Sequence, residues 1–425
     1  MKKAPRVVLS VFFLFSLLAA ATAFPQTAEM PAWTKGVDTL TYYNAGSVTY
    51  DPAIVEGALN FESAYGIKVK VVGIPEENYV SNAARLLATG DTTYDVFDMY
   101  MAFPMPDWAA RGWVVPIDDV VSPLLASKWP KGVWQAAEYQ GKHYFVPHLL
   151  QPALFYWNKK LFKEVGLNPD QPPRDWNELV EFAKKLTKEG QWGFVYPCGK
   201  IERAPILFYS YFLGMNGGQL WNKDGSPAFN GDKGVEALQF MVDLIHKYKV
   251  TPEGVVNWDT GMVCDIFKEG TAAMAMHHVG HPLTQDIEAL GLENLGAVAP
   301  PPSKRGSQAI YPMGFVGPTM YVNAKSKHLE AAKHLAAYMG SYIQSWREVV
   351  VENNDAPNLD IWESPYLQKV FPYADQHREV IANSYVPIRP NLLAIMEHFK
   401  QGIQDALTQK KSPKDALDWV AGKVK

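Results

Sequence analysis

Cysteine is nearly absent: Cys198 and Cys264 are the two thiols in 425 residues. That excludes a disulfide-dense scaffold. In an oxidising compartment the two can pair or stay as isolated buried thiols. The balance leans slightly to pairing, although sequence alone sets no distance between them. An excess of one charge is also missing, since the formal net charge is −4. A mildly acidic chain is a poor match for nucleic acid or an anionic membrane. Beyond the first 23 residues no run is long and apolar enough to span a bilayer. Internal repeats and low-complexity tracts are lacking, which argues against a structural array. No G-x-S-x-G, H-E-x-x-H or P-loop occurs, and no pair of carboxylates stands out as a glycosidase would require. Asp98, Asp107, Glu202 and Asp259 are the acids nearest plausible loops.

What is present starts at the N-terminus. Lys2, Lys3 and Arg6 precede the apolar run Val7 to Ala20, and Ala21-Thr22-Ala23 follows as a small-x-small site. This pattern predicts a cleavable secretion signal over residues 1–23, with the processed chain starting at Phe24. Losing those three basic residues takes the formal charge from −4 to −7. No cysteine lies near the cleavage site, so the expectation is a soluble periplasmic protein without a lipid anchor. Apolar residues make up 48% of the chain, enough for two lobes with separate cores. Aromatics reach 13%, including 13 Trp and 21 Tyr. Large cores explain such a content, and so does a cleft lined with rings that pack against sugar C–H faces.

The most informative stretch is Gly141 to Phe194. Tyr144 to Pro147 and Ala153 to Trp157 read as strands, the second dense in aromatics. Asn158 closes the second strand and opens a short helix that Gly166 stops. Asp175 and Glu178 have the spacing of a capping box before a helix with Trp176, Leu179, Val180, Ala183 and Leu186 on one face. The order GKxYxVP, YxNKxLFKEVGL, PP, WxEL and AKKLTKEGxWGF closely resembles the solute-binding proteins of ABC importers, in the large family that includes maltose-binding receptors. About ten landmarks in shared order carry that resemblance over nearly the whole processed chain.

The resemblance implies an α/β, two-lobed periplasmic binding protein fold (type II), each lobe a mostly parallel sheet flanked by helices. It implies a hinge of three crossings, near Leu149, Ala299 and Asn353. Lobe one is expected over 35–148 plus 300–352, and lobe two over 149–299 plus 353–425. The implied activity is capture of a solute, a sugar or oligosaccharide first, by hinge closure, with delivery to an ABC transporter membrane permease. A monomer without cofactor, metal or catalysis is expected. The same fold with a glycerol phosphodiester, polyamine or ferric iron is the alternative, and a secreted glycosidase the third reading.

Candidate ligand-binding residues follow the chain. LTYYN over 40–44 reads as a strand, placing Asn44 and Ser47 at its exit; a β-α-β unit follows, with a helix from Asp51 and a strand over Ile67 to Val72. A second helix is expected over about Glu77 to Leu87. Met99 and Tyr100 sit beyond the strand at Val96, where open α/β sheets bind ligands. Gln151 falls where the maltose-binding branch places an acidic contact, and an amide can also bond hydroxyls. Tyr209 is the expected cleft aromatic of ILFYSYFL, and Trp258 opens the next segment. Asp232 is expected to cap the helix carrying Val235 and Leu238. His277 and His278, with His281, invite a metal reading, yet neighbours on a strand point to opposite faces. A histidine bonded to a bound hydroxyl is preferred, which would make binding pH-dependent. Gly314 lets a ligand approach the backbone, and Arg389 keeps an anionic ligand open.

Overall fold

The computed structural model describes residues 29–45, 52–75, 79–99, 102, 104–150, 152–199, 204–278, 281–312, 319–352, 354–371 and 373–424. The called signal segment, Asp51, Ser47, Tyr100, Gln151, Glu202, Gly314 and Asn353 lie outside them.

The strands are β1 (Thr39–Ala45), β2 (Lys68–Ile74), β3 (Val96–Met99), β4 (Glu138–Tyr139), β5 (Lys142–His143), β6 (Val146–Pro147) and β7 (Ala153–Asn158). They continue with β8 (Trp192–Val195), β9 (Ala272–His278), β10 (Leu295–Val298), β11 (Tyr311–Pro312), β12 (Thr319–Val322) and β13 (Ser384–Tyr385). Two principal sheets result, ordered β2-β1-β3-β12-β6 and β10-β7-β9-β8.

Each sheet holds one reversed strand. In the first, β12 is antiparallel to both β3 and β6. In the second, β7 is antiparallel to β10 and β9, while β8 and β9 are parallel. The reason is topological: β7 and β12 carry the chain into a lobe from the other one, so they run away from the hinge. The other strands of these two sheets run toward it. The C-terminal ends of β1, β3 and β9 therefore lie on the hinge side of their sheets.

Strand alternation organises the first core. Leu40 and Tyr42 face the cluster of Ile54, Phe61, Met320 and Leu335. Tyr43 faces the opposite way, against Phe97 and Tyr94. Helices Pro52–Tyr65 and Leu329–Met339 cover that sheet. The helix expected over 77–87 runs from Tyr79 to Thr89. In the second lobe β7, β8 and β9 bury Phe155, Phe194 and Met274 beneath the helix Ala204–Met215, all of whose residues are buried.

Local caps follow the sequence closely. Asn158 Oδ1 accepts from the Lys160 and Leu161 N–H groups, and Ser412 Oγ from Asp415 N–H. Asp175 caps Trp176–Leu186 by accepting from Glu178 N–H at 2.9 Å. The capping box is not reciprocal, however. Glu178 reaches past the cap residue to Arg174, accepting from its backbone N–H at 3.0 Å and from its guanidinium, and those bonds hold its carboxyl below the usual range despite partial burial. Replacing Asp175 by Ala is expected to cost about 1 kcal/mol, read from the urea midpoint at unchanged slope. Asp232 is not a cap either: Gly231 holds that position, and Asp232 sits in the first turn.

The expected return to lobe one at Ala299 comes later. Ile310 N–H donates to Gly214 O and Tyr311 N–H to Asn383 O, so this segment packs on the second lobe up to Pro312. The next described strand, β12, already belongs to the first sheet. The cysteines do not pair: both are free and buried. Cys264 lies on the helix Thr260–Lys268 beside His277, whereas Cys198 follows β8 and bonds to Trp258 and Gln404 through its backbone.

Candidate functional site

The hinge-side strand ends define the cleft. From lobe one they bring Asn44, last but one in β1, and Met99, last in β3. Asn44 is buried, and its Nδ2 has no hydrogen-bond partner among the described residues. A buried amide without a partner is costly, so a donor held there suits an incoming oxygen. Met99 is different: its side chain is fully buried in the core, and its carbonyl accepts from Thr319 Oγ1 at 3.3 Å.

From lobe two comes the end of β9. His278 pairs with Ala153 and His277 with Leu154, so both stand beside the first crossing. Pleating turns them apart, as expected. His278 lies with its ring 5.6 Å from Phe208 of the helix Ala204–Met215. His277 turns inward, stacks on Tyr156 at 4.3 Å and places Nε2 2.9 Å from Asp286 Oδ2. Burial opposes its charge, but the neighbouring Cys264 and Asp286 outweigh it and raise the His277 pKa well above the ordinary value. His277 is thus an internal ion-pair residue and not a cleft contact. Cys264, His277 and Asp286 stand in the order thiol, imidazole, carboxylate, yet all three are buried and closed off from any substrate. Among the described residues no group of three His, Cys, Asp or Glu is placed to hold a metal.

Tyr209 is likewise interior. Its hydroxyl donates to Phe229 O at 2.7 Å, which ties the helix Ala204–Met215 to the loop beneath it. The tyrosine that reaches the hinge is Tyr211, whose hydroxyl accepts from Ala153 N–H at 2.6 Å. Trp258 is half-buried. Its carbonyl accepts from the Cys198 and Gly199 N–H groups, which places it beside the end of the described segment 152–199. Arg389 holds lobe two together: its guanidinium lies 4.7 Å over the Trp221 ring and donates to Gly225 O at 3.2 Å, and partial burial lowers its pKa.

The resemblance placed crossings near Leu149 and Asn353, and the structure joins the chain there, but motif order did not disclose the side chains that hold the junction. Leu150 and Asp355 exchange backbone bonds at 2.5 and 3.1 Å, clasping the first and third crossings. Buried side chains flank that clasp. His148 Nε2 lies 3.1 Å from Asp98 Oδ2, and its Nδ1 lies 3.6 Å from Glu348 Oε1. Tyr42 Oη donates to Asp98 at 2.8 Å, and Asn354 Nδ2 to Glu348 at 3.3 Å. Burial would lower the His148 pKa, but the Asp98 charge, the hydrogen bond to Asp98 and the neighbouring Glu348 raise it well above the ordinary value. On the other side of the clasp Asp355 bonds His377 Nδ1, whose ring stacks on Trp362. Burial pushes the Asp355 carboxyl up, partly offset by the His377 charge and bond. The one available signal was position: His148 follows the GKxYxVP strand directly.

The three described acids of the enzyme reading are engaged within the protein. Asp98 serves His148, Asp259 caps Thr260–Lys268 by accepting from Met262 N–H, and Asp107 accepts from Asn391 N–H.

Residues 44–343 match the family described as bacterial extracellular solute-binding protein. The chain belongs to that family. An arabinooligosaccharide-binding protein of Bacillus subtilis is 24% identical, with 100% of both chains covered. A probable amino-acid ABC transporter periplasmic-binding protein of Sinorhizobium fredii is 28% identical, over 62% of this chain and 61% of that one. The solved structure of maltose-bound MalE3 from T. maritima shares 24% identity and a TM-score of 0.79, covering 91% of this chain and 99% of its own. The fold of this solute-binding protein is accordingly the two-lobed α/β architecture of that group. No helix among the described residues is long and apolar enough to cross a membrane.

Proposed function

We propose that this solute-binding protein captures a sugar or oligosaccharide between its lobes by hinge closure and passes it, chemically unchanged, to the membrane permease of an ABC importer. The observation that carries the reading is the Leu150–Asp355 clasp, which joins the first and third crossings between the two sheets. A solute seated there contacts both lobes at once, and needs only to bind the closed arrangement better than the open one. The names of the arabinooligosaccharide-binding relative and the maltose-bound structure support the carbohydrate class. We assign the contacts to Asn44 and His278, and to Ser47, Tyr100, Gln151 and Gly314, which lie outside the described residues. The protein works as an exported monomer, freed from its signal at Ala23, without a lipid anchor and without a nucleic-acid partner. The Sinorhizobium fredii relative, named for amino acids, makes an amino-acid solute the second reading.

A thermal-shift panel on the chain from Phe24 tests this. The panel holds monosaccharides, oligosaccharides, sugar alcohols, amino acids, glycerophosphodiesters, polyamines and ferric salts. A compound at 100 times its Kd adds about 2.7 kcal/mol to stability. A carbohydrate that raises Tm and is recovered intact is the expected result; a shift with amino acids alone installs the second reading. Gln151→Ala and His278→Ala are expected to weaken carbohydrate binding at least tenfold, about 1.4 kcal/mol, with smaller changes in stability. Unchanged affinity by calorimetry in both removes them from the site.

A further inference from the structure

The segment Ser384 to Asn391 touches the opposite lobe at two places. Gly132, on the lobe-one helix Lys131–Ala136, packs so closely on it that a Cβ there would lie 3.0 Å from Ser384 O. Farther along, the Asn391 N–H donates to Asp107 Oδ2 at 3.2 Å. Asp107 is carried by Met105–Ala110, a helix fixed in lobe one where Trp108 packs against Tyr321 at 5.2 Å. Asn391 is fixed in lobe two, because the neighbouring Arg389 is held by Trp221 and Gly225, and Trp221 packs in turn on Phe229 and Phe399.

Asn391 is also the N-cap of the 16-residue helix Leu392–Leu407. It sits in the left-handed region, at φ 60 and ψ 15, and its side chain makes no capping bond. No acidic residue lies in the first turn of that helix. A helix start of this kind has unpaired N–H groups and a partial positive charge that a carboxylate satisfies. Here the carboxylate comes from the other lobe. Asp107 makes no ion pair among the described residues, so this contact is its polar engagement.

We propose that Asp107 is a positioning residue for solute capture: its carboxylate latches the start of the lobe-two helix Leu392–Leu407 and biases the lobes toward closure. The pair exists only when the lobes are together, so its free energy enters the closing equilibrium and not the stability of either lobe. This inference rests on the hinge-closure reading above. An exposed carboxylate at a helix N-terminus should change the closing constant about two- to fivefold, less at high salt.

The test uses the whole processed chain with spin labels at Leu124→Cys in lobe one and Leu292→Cys in lobe two, two exposed positions at 71% and 48%. Pulsed dipolar spectroscopy then reads the interlobe distance distribution, alone and with the carbohydrate panel. The probes are maltose, arabinooligosaccharides and sugar alcohols. In the wild type a short-distance population is expected to grow with a binding probe. Asp107→Ala should lower that population about two- to fivefold and speed probe release to match, with Tm of the probe-free protein unchanged. Asp107→Asn, which keeps an acceptor but loses the charge, should fall between them. Equal populations and release rates in all three proteins overturn the latch while leaving capture by closure intact. A wild-type distribution that no bound probe alters overturns the closure reading, and the latch with it.

Discussion

His148→Ala is expected to destabilise the protein by about 3–5 kcal/mol, the usual cost of stranding one partner of a buried ion pair. The variant removes the cation between Asp98 and Glu348, both buried. Tyr42 and Asn354 remain as donors, but neither supplies charge. Two carboxylates then face a cavity that must take up protons or water. The pH dependence carries a definite sign. The folded-state pKa of His148 lies well above the unfolded value near 6.5, so protonation favours the fold. Its contribution is complete below about 6.5 and is lost as pH rises from there through the folded-state pKa. Wild-type stability should therefore fall on the alkaline side of neutrality, and His148→Gln should flatten that limb. The measurement is urea unfolding in steps from pH 6 to pH 10. A loss under about 1 kcal/mol for His148→Ala, with an unchanged alkaline slope, would show that the triad is not charged as described.

This triad marks where sequence reading stops. Strand β1, the caps at Asn158 and Asp175, and the divergence of His277 from His278 were legible because each depends on residues a few positions apart. His148 lies 50 residues from Asp98 and 200 from Glu348 in sequence, and no spacing rule joins partners that only the two crossings bring together. The choice of Tyr209 over Tyr211 fails for another reason. Ala204–Met215 is apolar all round and buried all round, so its periodicity singles out no face. Both hydroxyls are used, one on Phe229 and one on Ala153, and chain topology decides which reaches the hinge. Family order does not separate residues at the hinge-side strand ends, such as Asn44 and His278, from those tied into the interior of a lobe, such as His277 and Arg389.

Gly214→Ala should reverse the ordinary sign for a helical glycine. By propensity alone the change gains about 1 kcal/mol. Gly214, however, lies one residue from the end of Ala204–Met215, where the segment leading back toward lobe one crosses the helix. A Cβ there would sit 1.9 Å from the carbonyl oxygen of Ile310, a distance no side chain tolerates. The obstacle is backbone, so no rotamer change relieves it. Ile310 must move, which threatens its N–H bond to Gly214 O and the neighbouring bond from Ser303 N–H to Met215 O. Overpacking costs about 1–3 kcal/mol, and the lost bonds add to it, so net destabilisation is expected. Gly261 provides the control in the same lobe. It is an exposed helical glycine whose added Cβ would meet only Asp259 Oδ1, at 3.4 Å. Gly261→Ala should be neutral or stabilise by up to about 1 kcal/mol. Urea midpoints for the two variants, compared at equal slope, decide the matter. If Gly214→Ala matches Gly261→Ala, the 303–311 segment is not seated on the helix, and the passage back to lobe one lies nearer Ala299, where motif order had put it.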